Sequence, residues 1–258
     1  MQKILVMVAT PTRHLPKRWD EGKGCWVLQF TPNHERFLTE LEALSLDDTC
    51  PYEFMFATVE GGRTWGRCRL VSHFRKMRRQ YPNMRWLYWH DDDVEQTGAG
   101  LLRLLSHRQP VVGAMYTTKE KDCHWVANFM HEVQVQANGL LQVVEVGLGA
   151  LLTHYQVYDV IEACNEGLLY TDRTTGERHL GFFQEVVLDK MPYSEDYFFC
   201  LLMRHAKLAD PTEDDPDHRK LGIGIFVDTE LRLRHYGGDG KAWPEEWPPI
   251  PMDQKVEA

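Results

Sequence analysis

Short apolar runs of strand length alternate with segments of helical spacing through the first half of this chain, and that alternation limits the fold more than any single motif. Lys3 to Ala9 (KILVMVA) carries a continuous apolar run, the pattern of a strand buried on both faces, and it ends at the turn-prone Thr10-Pro11-Thr12. Thr31-Pro32 opens a helix in which Phe37, Leu38, Leu41 and Leu44 recur at helical spacing, with Thr31 or Asn33 as cap. A second strand is expected at 52–59. Gly61-Gly62 then breaks the chain before a basic helix from about Trp65 to Tyr81, which Pro82-Asn83 ends. WLYW at 86–89 is the third strand, completing the order expected of a mostly parallel central sheet with crossover helices.

The second half continues with a helix at 96–107, a strand at 111–116, and strands at 125–129 and 141–146 around a hairpin turn at Asn138-Gly139. Gly147-Leu148-Gly149 precedes a helix at 155–165, and 170–190, which lacks a clear period, is expected to be a loop or small β excursion. Ser194 caps a helix at 195–205. The segment 209–218 holds five acids and two prolines and is expected to stay an exposed loop. Two last strands are expected at 223–227 and 230–235, and the Trp- and Pro-rich stretch from Trp243 packs as a strap. The expected organisation is one α/β domain over 1–238, in halves 1–116 and 117–238, with a small antiparallel extension and a tail at 239–258.

With 258 residues, 43% of them hydrophobic, the chain can bury a sizeable core. Its six cysteines include no C-x-x-C pair, which argues against a disulfide framework or a thiolate zinc site and makes a reducing, cytoplasmic setting the expectation. No window reaches the roughly 18 apolar residues of a membrane span, so no membrane segment is expected. The net charge of −9 disfavours a general nucleic-acid coat. It conceals an asymmetry, however: Arg63, Arg67, Arg69, Arg75, Lys76, Arg78 and Arg79 lie in a segment without acids from Gly61 to His90. That face either meets an anion, nucleic acid included, or is a solvated helix surface.

Directly after WLYW comes His90-Asp91-Asp92-Asp93, on a strand-to-helix loop where function usually resides. Two unit charges about 4 Å apart repel by roughly 4 kcal/mol at an effective dielectric near 20, so a carboxylate cluster needs water or a cation. The outer pair of an Asp-x-Asp can converge on one hard divalent ion; the same acids can equally serve as partners of a helix dipole. At Ser194-Glu195-Asp196 the helix start fixes two carboxylates, useful as bases and equally explained as capping. His235 ends a strand, LRLRH, and its imidazole can complete an oxygen-rich site with Asp93, a mixed donor set that suits Mn²⁺ or Mg²⁺.

Taken in order, TPT after the first strand, WHDDDV, VVGAMY, VGLGALL, SEDYFF and LRLRHYG resemble GT-A glycosyltransferases over about residues 3–238. The resemblance implies a Rossmann-like GT-A sheet whose first half binds a nucleotide-sugar and whose second half binds an acceptor. It implies that Asp93 and His235 hold Mn²⁺ or Mg²⁺, with Asp91 contacting the metal, its waters or the ribose, and Asp92 beside the donor. Thr10, Pro11 and Thr12 match a base-binding loop, and Arg69 falls where a basic residue approaches the diphosphate. Asp196 would be the general base, with Glu195 orienting base or acceptor, in an inverting transfer. Gly147 and Gly149 would let backbone approach the sugar or acceptor, with simple turn geometry as the alternative.

The expected activity is metal-dependent transfer of a sugar from a nucleoside diphosphate sugar to a hydroxyl of a glycan, a small molecule, a protein or a modified base in phage DNA. A sugar-phosphate nucleotidyltransferase is the alternative enzyme, although TPTRHLPKRW lacks its glycine-rich loop after the first strand. A noncatalytic sugar- or nucleic-acid-binding module is the third reading, disfavoured by carboxylates at separate loop positions.

Overall fold

The structure is a computed structural model and describes residues 2–12, 17–20, 25–28, 31–60, 63–130, 133–173, 176–206, 223–237, 241–244 and 246–250. The chain runs β1 (Ile4–Thr12), β2 (Lys17–Asp20), β3 (Cys25–Leu28), α1 (Pro32–Leu46), β4 (Tyr52–Glu60), α2 (Arg63–Gln80) and β5 (Met84–His90). It continues through α3 (Gly98–Ser106), β6 (Val111–Met115), β7 (Ala127–Phe129), β8 (Leu140–Val146), β9 (Ala150–His154) and α4 (Tyr155–Cys164). Four short strands follow, β10 (Leu169–Thr171), β11 (Arg178–Leu180), β12 (Val186–Leu188) and β13 (Met191–Tyr193). The described part closes with α5 (Glu195–His205), β14 (Ile225–Arg232), β15 (His235–Tyr236) and β16 (Ala242–Trp243).

An eight-stranded sheet in the order β4-β1-β5-β9-β6-β14-β8-β7 forms the centre. β4, β1 and β5 are mutually parallel, as are β6 and β14, whereas β9 is antiparallel to β5 and β6, and β8 to β14 and β7. Alternation along β1 splits its buried side chains between two layers. Met7 and Ala9 join Leu70, Val71, Phe74, Tyr158 and Phe199 on the side of α2, α4 and α5. Val6 and Val8 join Phe37, Leu41, Leu101 and Leu104 on the side of α1 and α3. The pairs β2–β3, β10–β11, β12–β13 and β15–β16 are separate two-stranded sheets. Among the described residues no helix is long and apolar enough to cross a membrane.

The local signals behave as their chemistry dictates. Thr31 is the cap of α1, its Oγ1 accepting from His34 N at 3.3 Å with Pro32 at the first turn, and Ser194 caps α5 through Tyr197 N at 3.4 Å. Gly139, at φ 82°, takes the left-handed turn before β8 that a side chain would resist.

Three expectations are revised. Thr10-Pro11-Thr12 is not a turn but the end of β1, still in register with Thr58-Val59-Glu60. β9 lies wholly buried at the sheet centre where the sequence suggested only a lead-in to α4; a short unalternating apolar run carries no period that separates strand from helix. The two last strands are one, β14, whose register against β6 shifts between Asp228 and Arg232. The polar Asp228-Thr229 that looked like a break is held by the buried Asp228 carboxylate, which accepts from Arg103 of α3 and from His107, the residue that caps its end. The segment 209–218 lies outside the described residues.

In chain order the sheet is entered at β1, extended to β4 on one side, then to β5 on the other. The carboxyl ends of β1 and β5 therefore flank a topological switch point, where open α/β sheets bind ligands.

Candidate functional site

The loop leaving β5 is tied down by backbone. Asp91 N donates to Gly149 O at 3.0 Å, and the Thr31 hydroxyl donates to Asp92 O at 2.8 Å. Tyr236 N donates to Asp93 O at 2.7 Å, Glu95 N donates to Arg234 O at 2.8 Å, and Val94 pairs with His235 as an isolated bridge. β15 and the residue before it are thus stitched to the acid loop, and two side-chain clusters form around it.

The first cluster centres on Arg67 of α2, whose side chain is 1% exposed. One guanidinium nitrogen donates to Asp91 at 3.2 Å, and the other to Glu195 at 3.2 Å and to Asp196. Asp196 also accepts from Leu148 N at 3.2 Å, so α5, the Gly147–Gly149 turn and the acid loop share one cation. Burial opposes the guanidinium charge, but Asp196, Asp91 and Glu195 outweigh it and hold Arg67 above its ordinary range. With three carboxylates against one guanidinium, burial prevails at Asp196 and its pKa is pushed up to about 6 despite Arg67.

The second cluster centres on Asp93. Lys119 donates to its Oδ2, and His235 Nε2 lies 3.4 Å from its Oδ1. Burial alone would raise the Asp93 carboxyl, yet His235 and Lys119 hold it well below the usual carboxylate range. Between the clusters, burial and its two neighbours push Asp92 up to about 6.

A divalent cation can be tested against this donor set. His235 Nδ1 lies 2.9 Å from Thr117 O, and a carbonyl only accepts, so Nδ1 carries the proton. In a neutral ring the Nε2 lone pair then faces the Asp93 carboxylate, a repulsive arrangement that a proton or a metal relieves. A carbonyl-oriented imidazole beside a carboxylate is the arrangement of metal-ligating histidines, and Mg²⁺ is commonly held by one or two carboxylates together with substrate phosphates. Asp93 and His235 fit such an ion. Asp91 is engaged by Arg67 instead, and among the described residues no group of three or more His, Cys, Asp or Glu converges for a metal.

The other expected site residues are dispersed. Thr10 is buried and Pro11 half-buried at the end of β1, on the switch-point edge; the Thr12 side chain lies outside the described residues. Arg69 turns away from the acids to Asp172. Two positions along a helix rotate a side chain by about 200°, so Arg67 and Arg69 cannot face the same way. Gly147 and Gly149 are explained by Tyr116: an added Cβ would come within 2.3 and 2.8 Å of the Tyr116 hydroxyl, which accepts from Gly149 N at 2.8 Å. Most of the basic segment is spent internally. Arg75 pairs with Glu162, and Arg78 pairs with Asp159 at 3.6 Å and covers the Tyr155 ring, while Lys76 and Arg79 stay exposed. The Arg63 side chain lies outside the described residues.

Arg67, Tyr116 and Lys119 were not singled out by sequence. For Arg67 a signal existed: it stands three, four and seven residues before the buried Leu70, Val71 and Phe74, at the core-facing position of its helix.

His90, immediately before the acids, stacks on His34 of α1 with ring centroids 4.9 Å apart. Burial pushes His90 down to about 4 and His34 to about 3. The unfolded chain therefore binds more protons than the native one below about pH 6.5, and this contribution to stability is lost as pH falls from there toward 4. Raised Asp92 and Asp196 act with the opposite sign, so the pair is isolated by comparison with His34→Phe. Relative to the unsubstituted protein, that variant should gain up to about 3 kcal/mol in urea-unfolding stability between pH 6.5 and 4. A pH-independent difference would contradict the assignment.

No family profile and no curated protein matches this chain. Among solved structures, the crystal structure of A197 from STIV aligns with 97% of this chain and 98% of its own at 11% identity, with a TM-score of 0.45. A glycosyltransferase involved in the glycosylation of the major capsid of PBCV-1 aligns over 63% of this chain and 67% of its own, at 10% identity and a TM-score of 0.32. Both likenesses lie below the level from which an activity follows.

Proposed function

We propose that this protein is a glycosyltransferase that moves a sugar from a nucleoside diphosphate to an acceptor hydroxyl with the aid of Mn²⁺ or Mg²⁺. The observation that carries this reading is the meeting of Asp93 with His235, and of Asp91 with Asp196 through Arg67, at the carboxyl end of β5 beside the switch point. It also accords with the motif order by which the sequence resembles GT-A enzymes.

Asp93 and His235 would hold the cation, which when bound offsets the negative charge developing on the leaving diphosphate. Asp196 takes the acceptor's proton as the hydroxyl oxygen bonds to the anomeric carbon and the bond to the diphosphate breaks, with inversion. Two of its lone-pair positions face Arg67 and Leu148 N, which fix the carboxylate and leave it capacity for a proton. Glu195, 5% exposed, serves by holding Arg67. Thr10 and Pro11, at the end of β1, and Asp92 would lie beside the donor's nucleotide.

The test is a panel of sugar nucleotides with Mn²⁺, read by thermal shift and by release of nucleoside diphosphate. One donor should raise the melting temperature only with metal, and Asp93→Ala should abolish that metal-dependent shift. No shift and no release with any sugar nucleotide would reject the reading. Pyrophosphate release from a nucleoside triphosphate and a sugar phosphate would move the assignment to a nucleotidyltransferase.

A further inference from the structure

We propose that Lys119 and the divalent cation are alternative occupants of Asp93, and that entry of the cation with the donor transfers the Lys119 ammonium to the donor diphosphate. This rests on the reading of Asp93 and His235 as the metal pair.

Both oxygens of Asp93 are engaged, Oδ2 by the Lys119 ammonium and Oδ1 by the facing His235 ring. A divalent ion on this carboxylate would lie within a few ångströms of the ammonium, and the two cations repel. The lysine is the one able to leave: it ends a flexible four-carbon stem, and its side chain is 30% exposed against 1% for Arg67.

The backbone beneath it stays in place. Thr117 pairs with Trp125, Thr118 N donates to His124 O at 2.8 Å, and His124 N donates to the Thr118 hydroxyl at 3.1 Å. Lys119 is therefore the first residue beyond a closed stem, and the same stem orients His235 through Thr117 O. A side chain released from Asp93 remains tethered beside the metal pair, within reach of an anion bound there.

Charge balance favours the exchange. Asp91, Asp92, Asp93, Glu195 and Asp196 crowd this end of the sheet, with Arg67 and Lys119 as their lysine and arginine partners among the described residues. Without ligand, Lys119 supplies a positive charge to Asp93. With a cation and a diphosphate bound, the cation neutralises Asp93 and the new phosphate charge attracts the freed ammonium. Metal and diphosphate then bind synergistically, each raising the other's affinity by the same factor.

The experiment titrates Mn²⁺ alone, followed by the electron-spin-resonance signal of the free ion, and then inorganic pyrophosphate against the Mn²⁺-loaded protein. Lys119→Met should bind Mn²⁺ about tenfold more tightly than the unsubstituted protein, and pyrophosphate about tenfold more weakly. Lys119→Arg, which keeps the charge, should stay close to the unsubstituted protein in Mn²⁺ affinity. Equal, measurable Mn²⁺ binding in the unsubstituted protein and Lys119→Met would overturn the exchange and leave the metal pair intact. Tighter Mn²⁺ binding with unchanged pyrophosphate affinity would reject the transfer, and no Mn²⁺ binding by either protein would remove both the exchange and the metal reading.

Discussion

Arg67→Met is expected to cost about 3–5 kcal/mol of folding stability, the penalty for removing one partner from a buried ionic network. Methionine fills much of the arginine's space, so the loss is electrostatic: Asp91, Glu195 and Asp196 would face one another without their shared cation. For a chain of this size that corresponds to a fall in melting temperature of roughly 10 °C. The cost should be smaller at pH 5 than at pH 8, because protonation relieves carboxylates that have lost their counter-ion. Arg67→Lys should recover only part of the loss, since one ammonium cannot span three carboxylates as a planar fork does. A melting temperature within 2 °C of the unsubstituted protein for Arg67→Met would show that the acids are supported by something else.

Asp196→Asn is expected to lower the rate of sugar transfer by about 10²–10⁴-fold, the usual contribution of a positioned general base, while leaving donor affinity within a few-fold. With its pKa at about 6, Asp196 is protonated below that value and ionised above it. On the proposed function, the rate of the unsubstituted protein should therefore rise with pH through about 6 and level off, and the variant's residual rate should lack that step. The same raised pKa gives stability an opposite slope. Between about pH 4 and 6 the native protein holds a proton that the unfolded chain releases, so this contribution diminishes as pH rises through that window. Full activity in the variant would confine Asp196 to holding Arg67 and the start of α5.

In the first half β1, α1, β4, α2 and β5 were legible because buried strands and amphipathic helices have different periods, whereas the β2–β3 pair was not expected; Thr31, Ser194 and Gly139 announce their caps and turn chemically. β9 escaped because five buried residues in a row have no period. The acid loop and Ser194-Glu195-Asp196 stood out as local clusters, whereas what joins them is non-local: Arg67 reaches Asp196 across 129 positions. Among several arginines on one helix, only comparison of its position with the buried stripe of Leu70, Val71 and Phe74 separates Arg67 from Arg69. The Lys119–Asp93 pair left no such trace, since Thr117 to His124 reads as an ordinary polar loop.

The bridge between Val94 and His235 has a consequence for biosynthesis. Val94 and His235 stand 141 residues apart, so a ribosome that has already delivered the acid loop must add about that much more chain before the imidazole arrives. Most strands of the central sheet can pair on the nascent chain, yet the meeting of Asp93 with His235 is assembled last. A protein stalled or cleaved before β14 would accumulate as a precursor whose acid loop lacks its imidazole.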